Sequence, residues 1–262
     1  DTILDIGAND GTLLKFFKER NLRVLGIDPA SEIALKATSE GIKTIPKFFD
    51  QSLAKEIVKE HGKAKIITAN NAFAHMDNLK EIMKGIKILM DKDSIFVFEI
   101  SYLLDVIEKV LLGTIFHEHH SYHSIKPMKK FFDNFDMELI DITRNNIQGG
   151  SLVGVVQFKK GKYKIDSSVQ EILKIEEKNK IDEVKTLKVF AKNLDITKQK
   201  VKSLFDGIVR QKKIIAGFGA ARSGTTLITQ MQIGSMIEYM VDDNDIKQGK
   251  YSPGDDILVR PT

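Results

Sequence analysis

The sequence predicts an α/β chain built of two Rossmann-like parts, a larger domain over residues 1–160 and a smaller α/β domain over residues 161–262. Three observations predict it. From residue 2 to residue 100, β-branched apolar runs alternate with amphipathic helical patterns, as in a mostly parallel sheet covered on both faces. Two glycine-rich segments, around Gly7 and around Gly217, each join a strand-like run to a helix-like one. Residues 164–209 are dense in Lys and Glu and carry apolar residues three and four apart, such as Ile181, Val184, Leu187 and Leu194, which fits a pair of amphipathic helices.

Taken in order, TILDI at residues 2–6 is a strand, GANDG a tight turn and TLLKFFKER a helix. LRVLGID is the second strand; it ends on Asp28, and Pro29 closes it. SEIALKATSE is helical, a short strand falls near Ile42–Ile45, and another helix runs near Ser52–Glu60. KAKIITA is a buried strand, NLKEIMKGIKILM a helix, and SIFVFEI the next strand. After Glu99 the texture changes. YLLDVIEKVLL reads as helix, FHEHHSYHS as a polar, histidine-rich stretch, and MELIDITR with SLVGVVQF as two antiparallel strands joined through NNIQGG. KKIIAGFGAARSG starts a second strand–turn–helix, continued by TTLITQM and the strand IEYMVDD. Only a few sheet elements follow, so the second domain reads as unfinished.

Composition narrows the function. Lys and Arg number 40 against 36 Asp and Glu, a formal charge of +4 that is spread along the chain. It gives little support to a nucleic-acid partner, but a weakly basic surface suits an anionic small substrate. With no cysteine there is no disulfide framework and no thiolate zinc site within these residues. No apolar run approaches the roughly 20 residues that cross a bilayer. The opening residues read as a strand and not as a signal peptide. The sequence does not open on Met and reads as a fragment, which leaves an upstream metal-binding module open. A soluble, reducing, cytoplasmic setting is expected.

A glycine turn between strand and helix lets the backbone pass close to a ligand. Dinucleotide domains use G-x-G-x-x-G here, with a pyrophosphate at the helix N-terminus. Gly7-Ala8-Asn9-Asp10-Gly11 does not have that spacing, and Asp5 and Asp10 would repel a pyrophosphate. Acidic groups suit a cationic, hydroxyl-bearing ligand such as S-adenosylmethionine, with Asp28 at the end of the second strand accepting the ribose hydroxyls. The competing reading is a generic turn in which Asp10 only caps a helix. Asn70 and Asn71 end the fourth strand, at the mouth of the sheet, where they either contact the donor or simply favour a loop.

Four of the six histidines fall between positions 117 and 123. The spacing is weak as a zinc site and no metal is expected, whereas imidazole beside a carboxylate suits general acid–base work. Nearby tyrosine hydroxyls can donate to a developing oxyanion. The bland alternative is a surface loop. In the second glycine turn, Gly217-Phe218-Gly219-Ala220-Ala221-Arg222-Ser223-Gly224, the amides and Arg222 can receive a sugar-nucleotide phosphate. An NAD site with Asp242 as ribose ligand and a purely structural turn compete with that reading.

Taken together, DIGANDGTLL, TANNAFAHM, FEISYLLDVI, IFHEHHSYHS, NNIQGGSL, GFGAARSGTTL and DDNDIKQGKYSPGDDILVRP resemble, in order and over nearly the whole chain, the sugar C-methyltransferase family. The resemblance implies a class I methyltransferase domain that holds S-adenosylmethionine and a C-terminal Rossmann-like domain, with a nucleotide-linked ketosugar between them. It implies His119 as the base that removes the proton beside the ketone, Glu118 in a supporting role, and His75 as an active-site residue. Gly149 and Gly150 would let a loop approach the sugar, and Gly217, Gly219 and Arg222 would serve the nucleotide. Two departures stand out. Phe116 occupies a position where the family usually has Tyr, which leaves oxyanion stabilisation to His75, Tyr122 or Tyr102. The family's cysteine-rich zinc module is absent from these residues. Chemistry at carbon explains the set: an sp³ carbon becomes a nucleophile only as an enolate, so a base and an oxyanion partner are both required. The rivals are an O- or N-methyltransferase of another small metabolite and a non-catalytic nucleotide-sugar-binding protein.

Overall fold

The computed structural model describes all residues, Asp1–Thr262, and divides them into two compact units. The first comprises residues 1–104 and 120–180. Its strands and helices are β1 (Thr2–Ile6), α1 (Thr12–Lys18), β2 (Arg23–Ile27), α2 (Ser31–Ser39), β3 (Thr44–Ile45), α3 (Gln51–His61), β4 (Ala64–Asn70), α4 (Leu79–Leu89) and β5 (Met90–Ser101). α5 (Leu103–Glu108) carries the chain out of this unit, and α6 (Ile125–Asp133), β6 (Met137–Asn145), β7 (Ser151–Phe158) and α7 (Ser167–Asn179) complete it.

The seven strands lie in the order β3-β2-β1-β4-β5-β7-β6. β1 to β5 are parallel, and β7 runs antiparallel to both its neighbours, as the alternating patterns of MELIDITR and SLVGVVQF predict. Every residue of β1 is buried, the mark of a central strand covered on both faces. Phe73, Phe96, Phe98 and Phe132 pack as a chain of rings with centroids 5.4–5.9 Å apart beside β5. The strand order reverses between β1 and β4, so the turn after β1 and the turn after β4 flank a crevice at the carboxyl ends of the strands. Such a switch point is where sheets of this kind bind ligands.

The second unit comprises residues 105–119 and 181–262. It contains α8 (Val184–Arg210), β8 (Ala216–Phe218), α9 (Arg222–Met231), β9 (Tyr239–Val241) and β10 (Val259–Arg260). Three parallel strands in the order β10-β9-β8 back a core of Ile228, Met231, Ile233, Met240, Ile257 and Val259. Leu112 packs against this core, which ties the 105–119 segment to the C-terminal strands.

Two boundaries differ from the expectation. Compaction does not change over at residue 160: α7 stays with the first unit because the buried Glu176 carboxylate accepts the Ile125 and Lys126 amides, at 2.6 and 2.9 Å, and so caps α6. Ser168 adds a tie to β6, donating to Asp141 and accepting from the Ile142 amide. The helix expected through residue 112 stops at Glu108, and Val110 adopts a left-handed φ of 53°. No helix is long and apolar enough to cross a membrane.

Candidate active site

The turn after β1 is tied to the end of β2. The Gly7 and Ala8 amides both donate to the Ile27 carbonyl, at 2.8 and 3.0 Å. Asp28 Oδ2 accepts the Asn9 amide and Oδ1 the Ala30 amide, each at 2.9 Å. The carboxylate is thereby fixed at the crevice, with lone pairs remaining on both oxygens. Asn9 has a left-handed φ of 50°, one of the few residue types that adopts it at low cost.

Three of the expected donor-site residues have other duties. Asp5 is not an open carboxylate at the turn; it is 4% exposed inside β1, opposite Gly26 and Thr68, and its Oδ1 accepts the Thr68 hydroxyl at 2.5 Å. Burial pushes its carboxyl up to about 6 against the pull of the Thr68 bond, and the nearby charge of Asp28 adds to the rise. Asp10 follows the capping alternative: its exposed carboxylate accepts the Thr12 amide and hydroxyl, which hold it below the ordinary carboxylate range. Gly11, with φ of 75°, is demanded by packing. A Cβ there would meet Ile42 Cγ2 at 2.7 Å. Asn70 lies opposite Glu99, and Asn71, with φ of 51°, donates its amide to the Glu99 carbonyl. Gly149 and Gly150 close a short turn before β7, and the Gly150 carbonyl accepts the Tyr102 amide at 3.2 Å.

The histidine-rich stretch is divided between the units. His75, in the short turn Phe73–His75, belongs to the first unit with His120, Tyr122 and His123. His123 is a core residue: it is packed edge-on to Phe73, and burial pushes it below the usual imidazole range. His120 is different. Its amide donates to the Ala74 carbonyl at 2.7 Å, and its Nδ1 lies 2.5 Å from the Asp77 carboxylate. Sequence reasoning missed that pair, since Asp77 is 43 positions away, although its place beside His75 was a signal.

His117, Glu118 and His119 belong to the second unit. His119 Nδ1 lies 2.7 Å from the Thr114 carbonyl oxygen, and the Phe116 and His119 ring centroids are 4.4 Å apart. Glu118 Oε1 accepts from Arg222 Nη1 at 2.8 Å, and His117 Nε2 stands 3.9 Å from the same oxygen. A backbone carbonyl thus meets His119 Nδ1, and the neighbouring Glu118 carboxylate accepts from Arg222. Arg222 opens α9 beside a hollow of about 500 Å³ whose lining includes His117, Glu118, Gly219, Lys247, Lys250 and Tyr251. Gly219 has a φ of 88° and open space where its Cβ would be, while Gly217 packs on Met240. No group of three or more His, Asp or Glu side chains is placed to hold a metal ion.

The reversed parallel sheet with a glycine turn at its switch point is the class I methyltransferase form of the Rossmann-like fold. Residues 1–142 match the family model described as a methyltransferase domain, and the chain belongs to that family. Residues 146–262 match the C-methyltransferase C-terminal domain. Over 260 residues the chain is 31% identical to the C-methyltransferase NovU of Streptomyces niveus, an alignment covering 99% of this chain and 62% of that protein. The chain thus spans about three fifths of that relative's length. Among solved structures, a SAM-dependent methyltransferase from Anabaena variabilis is 18% identical with a TM-score of 0.47, over 60% of this chain and 77% of its own. Magnesium protoporphyrin IX methyltransferase (ChlM) from Synechocystis, with bound SAH, is 12% identical with a TM-score of 0.46, over 60% and 73%.

Proposed function

We propose that the chain transfers a methyl group from S-adenosylmethionine to a carbon beside the ketone of a nucleotide-linked ketosugar, with His119 as the base. The observation that carries this reading is the 2.7 Å contact between His119 Nδ1 and the Thr114 carbonyl. A carbonyl only accepts, so Nδ1 carries the proton and the basic lone pair sits on Nε2. His119 Nε2 removes the proton and the C–H electron pair moves into an enolate on the ketone oxygen; with the donor bound, the enolate carbon would take the methyl group as the methyl–sulfur bond breaks, its electron pair going to sulfur and S-adenosylhomocysteine leaving. The bound donor supplies that methyl group as an electrophile. The proton on His119 then returns to solvent.

The donor set fits the methyl donor. Asp28, held by two amides, is ready for the ribose hydroxyls, and Asp5 behind it supplies negative charge for a cationic ligand. His75 and Tyr122 serve as oxyanion donors in place of the missing Phe116 hydroxyl, Gly149 and Gly150 face the sugar, and Gly217, Gly219 and Arg222 receive the nucleotide phosphates. The lack of cysteine fits a reducing, cytoplasmic setting.

Deuterium wash-in at the carbon beside the ketone tests the base directly. Exchange is expected in the parent chain and lost in His119→Ala; exchange that survives the change removes His119 from the role. The 2.5 Å His120–Asp77 pair favours a second reading, in which His120 is the base, and there exchange is lost in His120→Ala and kept in His119→Ala. Calorimetry that detects no S-adenosylmethionine binding would defeat every methyltransferase reading, whereas donor binding without turnover on any ketosugar, with turnover gained in Phe116→Tyr, would favour the non-catalytic nucleotide-sugar-binding rival.

A further inference from the structure

We propose that Arg222 and Lys250 form a diphosphate site that is occupied internally by Glu118, and that an incoming diphosphate displaces this carboxylate. The inference rests on the nucleotide-sugar reading above and adds the occupant, a second cation and the displacement.

Three cations line the hollow of the second unit: Arg222, Lys247 and Lys250. Lys247 is committed elsewhere, at 2.9 Å from Asp242 Oδ2, and together with the Asn244 and Ala220 amides it holds that carboxyl below the ordinary range. Arg222 and Lys250 remain for a ligand. Arg222 is the first residue of the ten-residue helix α9, whose cap residue Ala221 offers no side-chain acceptor to the first-turn amides. The chain itself seats an anion there, since Glu118 Oε1 lies 2.8 Å from Arg222 Nη1. A carboxylate on a guanidinium at an uncapped helix start is the arrangement a phosphate oxygen would adopt.

The occupant is weakly held. Arg222 is 77% exposed and Glu118 28%, and an exposed pair of this kind is worth no more than about a fivefold factor in an equilibrium. A diphosphate carries more charge, can engage the guanidinium fork with two oxygens and can reach Lys250 as well. Glu118 is the chain neighbour of His119, so vacating Arg222 returns a carboxylate to the histidine segment when the substrate arrives. Ligand binding and the setting of that segment become one equilibrium.

The test is calorimetric titration of the whole chain with inorganic pyrophosphate and with thymidine 5′-diphosphate at fixed low salt. Glu118→Gln should bind both about two- to fivefold more tightly, because the competitor is gone, and Arg222→Ala should bind both at least about tenfold more weakly. Both positions are solvent-accessible, and matching melting curves for the variants establish that the fold is kept. Unchanged or weaker binding by Glu118→Gln, while the parent binds thymidine 5′-diphosphate, overturns the displacement and leaves the nucleotide-sugar reading standing. Binding of pyrophosphate, tightened by Glu118→Gln, without any binding of thymidine 5′-diphosphate supports the displacement and defeats a thymidine nucleotide as the occupant. No binding of either ligand by any form defeats both.

Discussion

Asp28 and Asp242 are built alike. Each follows the second strand of its unit's strand–turn–helix–strand sequence, accepts with Oδ2 an amide of the glycine turn (Asn9 or Ala220), and accepts with Oδ1 the amide two positions ahead (Ala30 or Asn244). The two differ in one contact. Lys247 lies on Asp242 and neutralises it. One carboxylate is thus left for hydroxyls or positive charge, and on the other a ribose hydroxyl would compete with a lysine ammonium, which weakens the NAD reading of the second turn.

The contrast sets the first prediction. Asp28→Ala should abolish measurable binding of S-adenosylhomocysteine and destabilise the chain by about 1–3 kcal/mol, since two amides lose their acceptor. Asp242→Ala should cost similar stability yet leave that binding intact. Calorimetry on both variants decides, and equal loss of binding would count against Asp28 as the ribose contact.

Gly11 offers a purely steric test. Ala at this position would strain a φ of 75° and press on Ile42, so Gly11→Ala should destabilise by about 2–3 kcal/mol. Removing the obstacle with Ile42→Ala should make the double variant less unstable than the sum of the singles. Strict additivity in denaturant melts would show that Gly11 matters for another reason.

The parts of the fold legible in the sequence are those set by short-range rules. The period of the β1–β5 segment, the turn at Gly7 and the alternation in β6 and β7 are local, and each was readable. The capping alternative for Asp10 was likewise visible, because its partner Thr12 is two residues away. What could not be read are contacts fixed by packing across long separations. Glu118 meets Arg222 104 positions on, His120 meets Asp77 43 positions back, and Glu176 caps a helix 51 positions before it. Within one short run, His123 is core and His120 is an exposed neighbour of the Asp77 carboxylate, a difference that residue type cannot carry.

Glu176 ties α7 to the start of α6 within the first unit, so Glu176→Ala should destabilise that unit by about 2–4 kcal/mol by leaving the Ile125 and Lys126 amides without this acceptor. Glu176→Gln keeps one acceptor oxygen and should cost about half as much. Hydrogen exchange at the Ile125 and Lys126 amides reports the effect, and protection retained in the Ala variant would contradict it.

Phe116 lies against His119 with ring centroids 4.4 Å apart, which puts the ring that lacks the family's hydroxyl in contact with the proposed base. Phe116→Tyr should raise deuterium wash-in about tenfold through an added oxyanion donor. An unchanged rate would place oxyanion stabilisation wholly on other groups such as His75 and Tyr122.

Asp5 carries the pH dependence. Its carboxyl titrates near 6 in the fold and near 3.8 unfolded, mainly because burial disfavours the charged form. An acid raised in this way favours the folded state at low pH, where it is protonated in both states, and that contribution is lost as pH climbs from about 4 through 6. By linkage the loss amounts to about 2–3 kcal/mol at neutral pH. Asp5→Asn, neutral throughout, should therefore melt higher than the parent at pH 7.5 and close to it at pH 4. Ligand binding should run the opposite way. Ionised Asp5 lies one residue from the glycine turn, so affinity for the sulfonium of S-adenosylmethionine should rise between pH 5 and 7, while uncharged-sulfur S-adenosylhomocysteine gains less. In Asp5→Asn that difference should vanish. A variant that is no more stable at pH 7.5, or that keeps the sulfonium preference, would show that the buried carboxylate is neither the strained group nor the source of charge at this crevice.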